Sequence, residues 1–128
     1  MWLNNEFLNT AFTTDEQAKL STVIVTADAN PESSSDPGRN TQDKVFLLSV
    51  AEAIKYFASN LDRVCIPTKT AIENGSEIED GGCHWWLRTP GDISLLATGV
   101  YSNGAVGNFG DDVINEGGVR PVIVLMLS

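Results

Sequence analysis

The stretch "GGCHWWLRTPG", residues 81–91, places the tightest limit on what this chain can fold into. Its middle, "WWLRT", reads as a strand closed by a Thr-Pro-Gly turn, and in a strand consecutive side chains point to opposite faces. Trp85 therefore travels with Leu87, and Trp86 with Arg88. One tryptophan belongs to a core while the other lies beside a guanidinium on the far side of the sheet. A tryptophan next to an arginine can stack and exclude water, which serves either to hold a fold or to grip a sugar ring.

The residues that follow extend the sheet. "LLATGVYSNGAVGNF" carries Asn103-Gly104 between two extended segments, and both residues tolerate the positive φ that a tight hairpin demands. The chain closes with "GGVRPVIVLML", which reads as a long apolar strand at the centre of the sheet.

The first half is of another kind. "TTDEQ" offers Thr13 with Glu16, or Thr14 with Gln17, as a capping box. "STVIVTA" is a short β-branched strand and "VFLLS" (45–49) a buried one. "SVAEAIKYF" starts a helix at Ser49, with Glu52 completing the box. Val50, Ala53, Ile54 and Phe57 form its packed face, and Glu52, Lys55 and Ser59 face water. "IPTKTAIENG" adds a helical turn stopped by Gly75. Residues 28–43, "DANPESSSDPGRNTQD", have no apolar side chain larger than alanine or proline and read as a long surface loop. Helices early and strands late predict an α+β fold, a small, mostly antiparallel sheet with flanking helices.

A chain of 128 residues is expected to form a single domain, 1–128, with a core that needs neither metal nor disulfide. Its net charge of −9 repels phosphate backbones and anionic membranes, which sets nucleic acid aside as a partner. No run approaches the ~20 apolar residues of a membrane span, so no membrane insertion is expected. The N-terminus has no basic start followed by an apolar run and so names no compartment, and two settings stand side by side, a fragment of a secreted or cell-surface protein and the cytoplasm.

Catalytic and metal-binding constellations are few. Cys65, Cys83 and His84 fit neither a disulfide framework nor a four-ligand zinc site, and the two cysteines read as unlinked thiols, with a single Cys65–Cys83 disulfide as the alternative. In a strand Cys83 and His84 point apart, which argues against a thiol–imidazole pair. Glu77, Glu79, Asp80, Asp111, Asp112 and Glu116 lack the spacing of a calcium loop and read as solvated acidic loops. No metal and no cofactor is therefore expected.

The order "WLNNEFLNTAFTTDEQ", "VFLLSVAEAIKYF", "PTKTA", "WWLRTPG", a glycine-bearing hairpin and "GGVRP" resembles an uncharacterised bacterial domain family abundant in gut bacteria. The resemblance covers almost the whole chain, with Thr89 where serine is commoner. It implies a further stretch of strands ahead of the "WLN" helix, absent from this chain. More distantly, the tryptophan-rich strand and the closing Gly-Val-Arg-Pro strand are similar to the C-type-lectin-like fold of formylglycine-generating enzymes and of retroelement variable proteins. The chain lacks the Glu-Pro-Asn and Trp-Asn-Asp calcium motifs of sugar-binding lectins.

The function these features point to is a non-catalytic recognition or structural module of a bacterial protein, binding a protein or glycan partner. Two alternatives stand beside it, a distant formylglycine-generating-type enzyme using Cys65 or Cys83, and a purely structural domain. The expected ligand-binding rim is Trp86, Arg88, Asp92, Tyr101 and Asn103. Trp85 and Arg120 are expected to be structural, with Arg120 paired to a carboxylate such as Asp92 or Asp112.

Overall fold

A computed structural model describes residues 2–93, 95–113 and 116–127. A π-helical turn, Leu3–Phe7, runs directly into α1, Leu8–Ala11, and α2 follows at Thr14–Gln17. Thr13 and Glu16 form the capping box of α2, the hydroxyl accepting from the Glu16 N–H and the carboxylate accepting from the Thr13 N–H. Strands β1 (Val23–Val25) and β2 (Thr41–Asp43) pair antiparallel, with Val25 opposite Thr41. β3 (Val45–Phe46) then leads to α3 (Val50–Tyr56), α4 (Asn60–Arg63) and α5 (Lys69–Glu73). The largest sheet is the antiparallel meander of β4 (Trp85–Pro90), β5 (Leu96–Val100) and β6 (Val106–Asp112). β7 (Val122–Ile123) returns to pair with β3. The fold is α+β, built from small antiparallel sheets and short helices.

Two apolar clusters hold these pieces. One joins Leu48, Val50 and Ala53 from the start of α3 to Trp85, Leu87 and Val100 of the meander. The other packs Leu8 and Leu20 on Val45. The short β3–β7 ladder links them, because Val45 and Ile123 belong to the second cluster and Val122 packs on the first. Asn4 fixes the N-terminal turn to the same ladder by accepting from the Lys44 and Val45 N–H groups and donating to the Val45 carbonyl.

Several sequence expectations need correction. The closing apolar segment is not a central strand. Only Val122 and Ile123 pair with β3, Leu125 makes an isolated bridge to Leu20, and Val124 to Leu127 are exposed. Pro121 removes a ladder donor immediately before it, which favours an edge over a centre. In α3 the box of Ser49 and Glu52 is present, but Ile54 is half exposed and Glu52 is drawn inward by Arg88.

The 28–43 segment is not a free loop either. Its last residues form β2, and Asn30 is buried, with its amide donating to the carbonyls of Pro90 (2.9 Å) and Asn108 (2.5 Å). Ser35 donates to the Gly91 carbonyl at 2.7 Å. Polar side chains thus strap this segment across the end of the meander, satisfying backbone acceptors that would otherwise be buried unpaired. Among the described residues no helix is long and apolar enough to cross a membrane.

Candidate functional site

Strand β4 separates core from site by simple alternation. Trp85, Leu87 and Thr89 are buried, and Trp86, Arg88 and Pro90 are half-buried on the other face. Trp85 donates its indole N–H to the Arg63 carbonyl at 3.1 Å, meets Phe57 edge-on, and carries the Arg120 guanidinium 4.6 Å from its ring centre. Arg120 is therefore held by aromatic rings in place of the expected carboxylate, and its buried Nη1 has no hydrogen-bond partner among the described residues. Thr89 accepts from the Val50 N–H and so joins β4 to the first turn of α3.

Arg63 was not singled out in the sequence, yet it is one of the few buried charged residues. It donates to the carbonyls of Gly104 (2.9 Å) and Phe57 (2.6 Å) and to Asn60 Oδ1 (2.5 Å), tying the hairpin tip to α4. Gly104 has φ +86°, and a Cβ there would stand 1.7 Å from the Asn60 carbonyl oxygen, so no other residue fits this contact.

On the opposite face lies a broad open groove of about 1420 Å³. Its floor is aromatic. The His84 ring lies 4.7 Å from Trp86, edge to face, and 5.9 Å from Tyr101, stacked. His84 reaches this position because Gly99 on β5 has no side chain, since a Cβ there would come within 2.3 Å of Nε2. Burial lowers the His84 pKa, with Asp111 opposing, so the imidazole is neutral at pH 7. One wall is α5 with the turn after it, and the other is formed by the residues around Gly117. Glu77, Glu79, Asp80, Asp111 and Glu116 line these walls, and no lysine or arginine does so among the described residues.

The predicted rim divides. Trp86, Tyr101 and Asn103 border the same groove. Arg88 does not, because its guanidinium turns to the other end of the strand. There it donates to the carbonyls of Thr26 (3.0 Å) and Leu47 (2.8 Å) and pairs with the Glu52 carboxylate, beside a small hollow of about 140 Å³. Burial acts to raise the Glu52 pKa, but the Arg88 and Ser49 hydrogen bonds outweigh it and hold the carboxyl below its usual value. Asp92 is exposed in the turn after β4, where its N–H donates to the Phe109 carbonyl. A shift of register between Trp86 and Pro90 separates these positions from the groove.

The two acidic stretches that read as solvated loops both contribute to the groove lining, and Glu116 comes close to Gly75 after α5. Cys83 also lines the wall, unlinked, with Cys65 directly opposite. Burial and the neighbouring Cys65 push the Cys83 thiol up, the reverse of what an activated nucleophile needs. Among the described residues no three His, Cys, Asp or Glu side chains converge as a metal site.

No curated protein and no solved structure matches the chain. The sequence profile of the family described as a domain of unknown function (DUF6273) matches residues 1–127, and the chain belongs to that family.

Proposed function

We propose that this domain is a non-catalytic recognition module and that the groove over His84, Trp86 and Tyr101 receives its ligand. The observation that carries this reading is the placement of Tyr101, 43% exposed on a concave surface beside Trp86 and His84. Exposed aromatic faces in a concavity are where protein segments and sugar rings dock, because flat apolar area is covered there at little conformational cost. The acidic walls favour neutral or basic partners, either a glycan or a protein segment bearing lysine or arginine, and disfavour anionic ones.

The raised Cys83 thiol weighs against a cysteine-based enzyme. The C-type-lectin-like relationship agrees with ligand presentation on the loops of a small sheet, and it rests on the resemblance alone. In this reading the domain is one unit of a larger secreted or surface bacterial protein. The test is a fluorescence titration of the full chain with basic peptides and oligosaccharides, since Trp86 reports on the groove floor. A saturable change lost in Trp86→Phe on a stably folded background supports the site. A saturable change that survives Trp86→Phe and Tyr101→Ala places the ligand elsewhere.

A further inference from the structure

We propose that Cys65 and Cys83 are a redox modification site, an intramolecular disulfide closed by exchange with a small-molecule disulfide. The two residues face each other in an isolated antiparallel bridge, with the Cys83 N–H donating to the Cys65 carbonyl at 2.8 Å. Residues paired this way have Cα atoms about 5.5 Å apart, within the range that disulfides span. Directly opposite side chains in such a pair share one face of the ladder. Cβ atoms of such a pair stand about 4.5–5.5 Å apart, wider than the ~3.8 Å of a relaxed disulfide, so the bond closes under strain and is readily reduced.

The exposure of the two sulfurs sets the order of events. Cys65 is half-buried and Cys83 buried. Cys65 Sγ, as its thiolate, attacks one sulfur of oxidised glutathione, breaking that S–S bond and releasing one glutathione, which takes up a proton. Cys83 Sγ then attacks Cys65 Sγ in the mixed disulfide and expels the second glutathione. One S–S bond forms and one breaks, and two electrons and two protons pass from the cysteine pair to the two glutathiones.

The location gives the bond its consequence. Between the two cysteines lie α5 and the turn closed by the Glu79–Gly82 bridge, which together supply the Glu77, Glu79 and Asp80 wall of the groove. A link across the neck of this loop fastens that wall to β4. The inference stands apart from the recognition reading, since its test requires no ligand.

The test exposes the full chain to oxidised glutathione at low protein concentration and follows free thiols and intact mass. The expected result is loss of both titratable thiols, a mass lower by two hydrogens, and a proteolytic fragment joining residues 65 and 83, all reversed by excess reduced thiol. Cys83→Ser is expected to stop at a glutathione adduct on Cys65, and Cys65→Ser to give no adduct. Two thiols that still titrate, a stable adduct on Cys65 of the unsubstituted chain, or a link found only between two chains would overturn the proposal.

Discussion

The guanidinium carbon of Arg120 sits 4.6 Å from the centre of the Trp85 ring, joining the closing segment of the chain to the start of β4. Backbone bonds reinforce the contact, with the Trp86 N–H donating to the Gly118 carbonyl and the Gly118 N–H to the His84 carbonyl. Trp85 is the largest fully buried side chain, so Trp85→Ala should cost about 3–5 kcal/mol in urea unfolding. Trp86→Ala, on the half-buried face, should cost less than about 1.5 kcal/mol. Equal losses for the two would contradict the division of β4 into a core face and a groove face.

Arg88 straps three segments together at the end of β4 away from the groove. It reaches Thr26, Leu47 and Glu52 together, a fork that the single ammonium of lysine cannot reproduce. Arg88→Lys should lower stability by about 2–3 kcal/mol while leaving any groove ligand's affinity unchanged. The pairing is checked by comparing urea midpoints with binding curves on the same preparation.

Asn30 makes the parallel claim for the long polar segment. Asn30→Asp keeps the acceptor used by the Glu32 N–H but removes both donors to Pro90 and Asn108. A loss of about 1–3 kcal/mol, with faster amide exchange across residues 27–40, is the expected outcome. Unchanged exchange would mean that the strap is set by backbone alone.

Acid should destabilise the fold in two stages. His84 has a lowered pKa in the folded chain, so the unfolded chain binds a proton more readily. Its contribution is complete above about pH 6.5 and is lost as pH falls below that value. Glu52 is also lowered, so its contribution is present above the ordinary carboxylate range and is lost as pH falls through and below it. Urea midpoints measured against pH should decline in both windows, with His84→Gln removing the upper decline and Glu52→Gln the lower.

How much of this was legible depended on the range of the interactions. Local rules placed the Thr13 and Ser49 capping boxes, the Asn103-Gly104 hairpin and the alternation along β4, because each is decided within a few residues. Long-range partners were hidden. Arg63, Asn30 and Asn4 look like ordinary surface residues until the carbonyls they satisfy, up to 78 positions away, are brought beside them. The closing apolar segment misled because its hydrophobicity is not matched by burial, Val124 to Leu127 being exposed, and Pro121 removes a ladder donor just ahead of the two paired residues. Of the predicted rim, Trp86, Tyr101 and Asn103 share the groove, whereas Arg88 pairs with Glu52, whose helical position alone points to water.

The most direct measurement is a thermal melt of the full chain and of Tyr101→Ala across a panel of basic peptides and neutral oligosaccharides. A ligand that binds only the native state raises the midpoint by mass action. The account predicts that at least one compound raises the midpoint of the unsubstituted chain and that the rise disappears in Tyr101→Ala, whose own midpoint stays close to the parent's. A rise of equal size in both proteins would contradict it, as would a panel in which neither protein responds.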